Sequence, residues 1–279
     1  MSLDYAVATL TTKDFIPFMD INPFTITFVG KLSDQQLDLK EVFHQLPITE
    51  TSFKPKAGKK VKVDVLGHPG AIIGAKYKLD GVKVVRGIDK LTRPFNNCIS
   101  MIMTVPSAKG IAEKNIDFKL FKDKIQSTGS RTIGHTEEAW RYLKGYLLQM
   151  KAISVNPIEK LEIVSLSYKM IDKTFGLGFK ICREKLKTHI HLVNGFHVIW
   201  VAGVHSNGVS VKYPLESFDG ALVKKRKQMP VCVSFIVFAT GSVIISGNDL
   251  AVMERVYNLF NTTIAGIRSE IELKIIERE

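Results

Sequence analysis

The chain has 279 residues, 45% of them hydrophobic and 24% charged. That is an ordinary folded composition, with enough chain for one large core or two smaller ones. A formal charge of +12 favours an anionic partner such as nucleic acid, a membrane surface or an acidic protein. Cys98, Cys182 and Cys232 are odd in number, far apart and not in CxxC spacing, which argues against a disulfide framework and a zinc knuckle. No apolar run reaches the ~20 residues of a spanning helix. The first residues also lack the basic-then-apolar order of a signal peptide. The expectation is a soluble intracellular protein with no membrane partner.

In chain order, residues 1–22 read as a loosely ordered lead-in. Residues 25–29 predict a short strand, and 38–46 a short helix with Leu39, Val42, Phe43 and Leu46 on one face. The stretch 54–62 (KPKAGKKVK) is a basic loop broken by Pro and Gly, more often a solvated loop than a binding arm. Residues 71–78 and 81–86 predict strands joined at Leu79-Asp80-Gly81, a hairpin signal. A strand over 98–105, the segment FKLFKDKIQSTG (118–129) and a helix over 136–150 follow, with Ala139, Trp140, Leu143 and Leu147 at helical spacing. The second half repeats the order. It has a strand over 162–167, a helix over 175–186, and strands over 196–204 and 208–213 around Asn207-Gly208. The segment FIVFATGSVIISG (235–247) and a helix from 248 to about 267 close it.

Strand, tight turn, strand, helix thus occurs twice, and an internal repeat organises the whole reading. DGVKV also matches NGVSV, and Ile26–Phe28 matches Val164–Leu166. The expected organisation is a lead-in over 1–22, a first repeat over 23–152 and a second over 153–279, each α+β. Alternation assigns the faces. Val233, Phe235, Val237, Val243 and Ile245 should meet the helices, as should Ile116, Phe118, Leu120 and Ile125 in the first half. Ser234, Ile236, Phe238, Ile244 and Ser246, and likewise Lys119, Phe121, Gln126 and Thr128, should lie on the opposite face. A sheet face carrying Phe and Ile without helices over it calls for a partner.

The doubled order resembles the TATA-binding protein family, most of all the divergent members from large DNA viruses. FIVFATGSVIISG is similar to the family's strand–turn–strand signature at Phe238, Gly241, Ser246 and Gly247. FKLFKDKIQSTG is similar at Phe121, Lys124, Thr128 and Gly129 with one residue fewer in the turn. YPLESFDG (213–220), RPFNNCISMIMTV (93–105) and the tail TIAGIRSEIE add weaker matches.

The resemblance implies an α+β fold of two pseudo-symmetric repeats, forming one curved antiparallel sheet, or saddle, with helices on the convex side. It also implies minor-groove binding, for which the family is itself a standard example, with apolar wedges that unstack base steps. Phe121 and Phe238 would be wedges, with Phe95 and Phe218 as their partners. Thr128 and Ser246 would approach minor-groove acceptors together with Ile236 and Ile244. Thr27 and Ser165 stand where the family carries paired Asn, and Lys119 and Gln126 replace apolar groove residues, so the A/T-rich promoter preference departs from the family's pattern. Arg93, Lys122, Lys124, Arg131 and the KKRK run containing Lys225 and Arg226 would contact phosphates without reading sequence.

Three function classes compete. The first is a general transcription initiation factor that binds and bends double-stranded DNA and recruits a B-type initiation factor or RNA polymerase subunits. It would act in the nucleus or, for a viral protein, in a host cytoplasmic replication factory or the virion. The second is an interaction scaffold of the same fold that has lost sequence-specific DNA binding. The third is an enzyme, for which HExxH, P-loop, GxSxG and GxGxxG signatures are all missing from the sequence. His189 and His191 would share a strand face as a metal pair, but no third ligand has suitable spacing. No cofactor and no catalysis are expected.

Overall fold

The computed structural model describes residues 15–33, 37–50, 67–89, 97–106, 113–150, 160–190, 194–199, 208–215 and 232–273. The chain divides into two compact units, Thr25–Lys169 and Met1–Phe24 with Met170–Glu279. We call them the N-terminal and C-terminal units. The basic loop 54–62 and the expected repeat boundary after residue 152 fall outside the described residues. Both units are α+β and built on antiparallel strands.

The N-terminal unit contains β1 (Pro23–Leu32) from Thr25 onward, α1 (Leu39–Gln45), β2 (Ile72–Leu79), β3 (Val82–Gly87) and β4 (Ile99–Val105). It continues with β5 (Lys114–Leu120), β6 (Lys124–Ser130) and α2 (Ile133–Gln149). The strands lie in the order β3-β2-β4-β5-β6-β1, so the first strand returns beside the last. The β2–β3 hairpin turns at Asp80 (φ 48°) and Gly81 (φ 87°), the positive-φ pair that a two-residue turn requires. Alternate residues of β4 and β5, namely Ile99, Met101, Met103, Ile116, Phe118 and Leu120, bury against Ala139, Leu143 and Leu147 of α2 and Phe43 of α1. Helix α1 begins where the Asp38 carboxylate accepts from the N–H groups of Lys40 and Glu41. It ends where the Arg86 guanidinium donates to the carbonyls of Phe43, His44 and Leu46, the last two at 2.9 Å. Those carbonyls have no intrahelical partner, so a cation with several donors suits them.

The C-terminal unit takes β7 (Ile163–Gly176) from Met170 onward, then α3 (Arg183–Ile190), β8 (His197–Ile199) and β9 (Gly208–Pro214). It closes with β10 (Cys232–Phe238), β11 (Ser242–Gly247), α4 (Leu250–Gly266) and the short α5 (Arg268–Ile271). The order is β7-β11-β10-β9-β8. Val233, Phe235, Val237, Val243 and Ile245 are all buried, as alternation predicts. Phe235 stacks on Phe260 of α4 with ring centroids 4.1 Å apart.

Three expectations are corrected. Phe175 belongs to β7, and the helix expected over 175–186 begins only at Arg183. Gly176 to Ile181 instead keeps the period of two, with Leu177, Phe179 and Ile181 buried. Leu177 and Ile181 donate to the carbonyls of Gly241 and Ala239 at 2.9 Å, pinning the β10–β11 turn. Gly241 is obligatory there, since a Cβ would sit 1.9 Å from the Phe179 carbonyl oxygen at a φ of +84°. His189 lies on α3 rather than on a strand, and His191 falls outside the described residues.

Residues 15–22, expected to be loosely ordered, are packed. Phe18 is buried, and its carbonyl accepts from Lys173 Nζ at 2.8 Å while the ammonium rests 4.0 Å from the Phe18 ring centroid. Tyr257 donates to the Ile16 carbonyl at 2.7 Å. Lys173 sits among the core-facing residues of β7, and burial lowers its pKa. No helix among the described residues is long and apolar enough to cross a membrane.

Candidate nucleic-acid interface

Because side chains alternate across a strand, ladder register lines up the face turned away from the core. In the N-terminal unit one row runs Val85, Lys76, Ser100, Lys119, Gln126, Val29. The next runs Gly74, Ile102, Asp117, Thr128, Thr27. In the C-terminal unit the rows run His197, Lys212, Ser234, Ser246, Asp172 and Ile199, Ser210, Ile236, Ile244, Thr174. Phe238 stands opposite Gly208 beyond the second row.

Register brings the expected residues together as follows. Lys119 and Gln126 are directly opposite on β5 and β6, both half-buried. Thr27 and Thr128 face each other with hydroxyl oxygens 3.3 Å apart, and Thr27 is buried by that contact. Ile236 pairs with Ile244, and Ser246 with Ser234. Phe238 is half-exposed at the end of β10. Lys124 follows the β5–β6 turn, its Nζ 5.0 Å from the Phe121 ring centroid. Ser165 is exposed on β7. Arg93, Phe95, Phe218, Lys225 and Arg226 lie outside the described residues.

Phe121 departs from the expected open position. β5 ends at Leu120, so Phe121 sits in the turn, where its N–H donates to the Lys124 carbonyl at 2.8 Å. It is only 9% exposed, against a half-exposed Phe238.

Several residues on these faces escaped the sequence reading. Lys76 is 9% exposed in a small cleft with Gly74, Ile88, Ser100, Ile102 and Asp117. Burial lowers its pKa, opposed first by the Asp89 carboxylate. Ile88 folds over β2, donating to the Ile73 carbonyl at 2.9 Å, and Gly74 permits it because a Cβ would lie 2.1 Å from the Ile88 oxygen. The spacing of Lys76 and Lys78 in GAKYKL is the signal that both share one face. Asp172 lies opposite Ser246, and burial raises its pKa while the Ser246 hydroxyl opposes the shift. Its Oδ1 has no hydrogen-bond partner among the described residues. It was hidden because the strand was expected to stop at 167.

The two faces differ in chemistry at the hairpins β5–β6 and β10–β11. Lys119 pairs with Gln126 on the first, and Ile236 with Ile244 on the second. The N-terminal unit thus offers cations and amides there, and the C-terminal unit offers an apolar strip ending in Phe238. A cation-bearing row suits phosphate oxygens, and an apolar strip suits unstacked base faces or another apolar surface. Among the described residues no group of three or more His, Cys, Asp or Glu side chains is placed to hold a metal.

No protein-family model matches the chain. No curated protein matches it either. Among solved structures, the fold is similar to that of Methanococcus jannaschii TBP, at 14% identity and a TM-score of 0.47 over 89% of this chain and 99% of that one.

Proposed function

We propose that the chain binds duplex DNA through the open sheet faces of its two units, bends it in the minor groove, and recruits transcription machinery as an initiation factor. The observation that carries this reading is the pair of rows turned away from the core, Ser100–Lys119–Gln126 in one unit and Ile236–Ile244 with Phe238 in the other. The formal charge of +12 and the signature matches around Phe238 and Gly241 support it. The units are proposed to be repeats of one design. Each runs strand, helix, further antiparallel strands, helix, with its first strand beside its last. Lys119, Lys124 and Gln126 hold the backbone, whereas Ile236, Ile244 and Phe238 meet base edges. Transcription in the nucleus, or in a viral replication factory, is the setting that suits such a factor. The reading involves no bond chemistry.

The test is a FRET-detected bending assay on short A/T-rich and G/C-rich duplexes across a salt series. Bent, A/T-preferring complexes that lose the bend in Phe238→Ala are expected. An unchanged bend in that variant would remove Phe238 from the interface. A second reading, a scaffold that binds protein rather than DNA, is favoured by one observation. Asp117 and Asp172 place carboxylates within the rows, where phosphates and minor-groove acceptors repel them. Absence of duplex binding at low salt would leave that reading standing.

A further inference from the structure

A group of hydrogen-bond donors without acceptors gathers at the start of α2. The Arg131 backbone N–H donates to His135 Nδ1 at 3.4 Å, so the proton of a neutral ring sits on Nε2. That Nε2–H is buried and has no acceptor among the described residues, in a side chain only 1% exposed. The hydroxyl of Thr132, the residue preceding the helix, is likewise buried without a partner among the described residues and leaves the first-turn N–H groups without a side-chain cap. The first turn holds no acidic residue. Gly134 adds no bulk there, since a Cβ would find only Thr132 Oγ1 within 4 Å, at 3.7 Å.

Among the described residues, the two charges that act on the ring are both positive. Lys114, half-buried at the head of β5, and exposed Arg131 both act on His135, and Arg131 acts on Lys114. Burial together with these cations holds the His135 and Lys114 pKa values down. Unsatisfied buried donors carry a cost that native structures ordinarily remove with a partner. The partner that satisfies donors, cations and a helix N-terminus together is a tetrahedral oxyanion.

We propose that Lys114, Arg131, Thr132, His135 and the first turn of α2 form a phosphate-binding site. The ligand chemistry is a phosphoryl oxyanion, from the backbone of a nucleic acid or from a free phosphate. Binding opens the turn around these two solvent-closed atoms, so that one oxygen accepts from His135 Nε2 and another from Thr132 Oγ1, while Lys114 and Arg131 neutralise the charge.

The experiment follows the His135 imidazole by NMR in the full chain during titration with inorganic phosphate, an arm that does not depend on the DNA reading. A saturable shift is expected, with the His135 pKa moving up as phosphate binds. Arg131→Ala and Lys114→Ala should each weaken binding roughly tenfold, the worth of one charge-assisted hydrogen bond. His135→Phe keeps the ring volume and removes the orphaned donor. It also removes the Nδ1 acceptor of the Arg131 N–H, so the readout is the ligand-linked one: the rise in melting temperature that phosphate produces should be abolished. A ring that never responds to phosphate would overturn the site, and so would unchanged affinity in both cation variants. In a second arm a short duplex is added to the phosphate complex. Displacement of phosphate identifies the nucleic-acid backbone as the source, and an unmoved signal identifies a free phosphate.

Discussion

Gly208 shapes the apolar strip through a side chain it lacks. A Cβ there would lie 2.5 Å from Ile236 Cγ2 and 3.3 Å from the Phe238 ring, so both side chains lean into the space above β9. Gly208→Ala should displace them, destabilising the protein by about 1–3 kcal/mol through overpacking and weakening duplex binding more than the stability loss explains. Denaturant melts alongside binding titrations separate the two effects. Asp172 gives a pH signature. Its folded pKa lies above the ordinary 3.8, so the folded state holds the proton more tightly than the unfolded state. Stability therefore falls as pH rises from about 3.8 through the raised value, and levels off above it. Asp172→Asn should raise the melting temperature at neutral pH, with the gain vanishing in acid. A gain that persists below the ordinary carboxylate pKa would contradict the burial origin of the shift. At this scale the sequence is readable wherever alternation is strict. Ile236, Ile244 and Gln126 fall where a period of two puts them. Phe121 does not, because one residue fewer in its turn carries it off the ladder, and periodicity says nothing about turns.

Elements were legible where apolar residues repeat and caps are explicit. Asp38 and Asp249 both cap the helices they precede, and Asp80-Gly81 makes its hairpin. The stretch from Phe175 to Ile181 was misread because Phe175, Phe179 and Cys182 also satisfy helical spacing. Glycines at 176 and 178 and the hydrogen bonds to Ala239 and Gly241 decide for an extended chain, and those bonds are tertiary. The role of Arg86 was equally hidden, since its three acceptors lie 40–43 residues away. Arg86→Ala should cost about 2 kcal/mol in chemical denaturation by stripping the end of α1 of a charged donor. Arg86→Lys should recover only part of that, because an ammonium lacks the fork. The packed Phe18 turn makes a stronger demand. Phe18→Ala empties a site between Lys173 and Tyr257 and should cost about 3–5 kcal/mol.

For the molecule as a whole, charge is the property most openly written in the sequence. An excess of 12 cations predicts duplex affinity that falls steeply with salt. Replacing Lys119 should lower the slope of log affinity against log salt by about one if it contacts a phosphate. An unaltered slope would take it out of the interface. The order strand, turn, strand, helix expected over 118–150 and 235–267 was also readable, and is present as β5, β6, α2 and β10, β11, α4. The division of the chain was harder to see, because the C-terminal unit includes residues from before β1.

That inclusion bears on synthesis. Ile16 and Phe18 leave the ribosome well before Lys173 and Tyr257, which receive them and lie 155 and 241 positions further on. At the usual 5–20 residues per second, roughly ten seconds to most of a minute separates the segment from its seat. Once β6 has been made, the N-terminal unit has its described strands β1–β6 available, while Phe18 still has nowhere to bury. The C-terminal core is thus sealed only after Tyr257 has been made, by a segment synthesised 241 positions earlier.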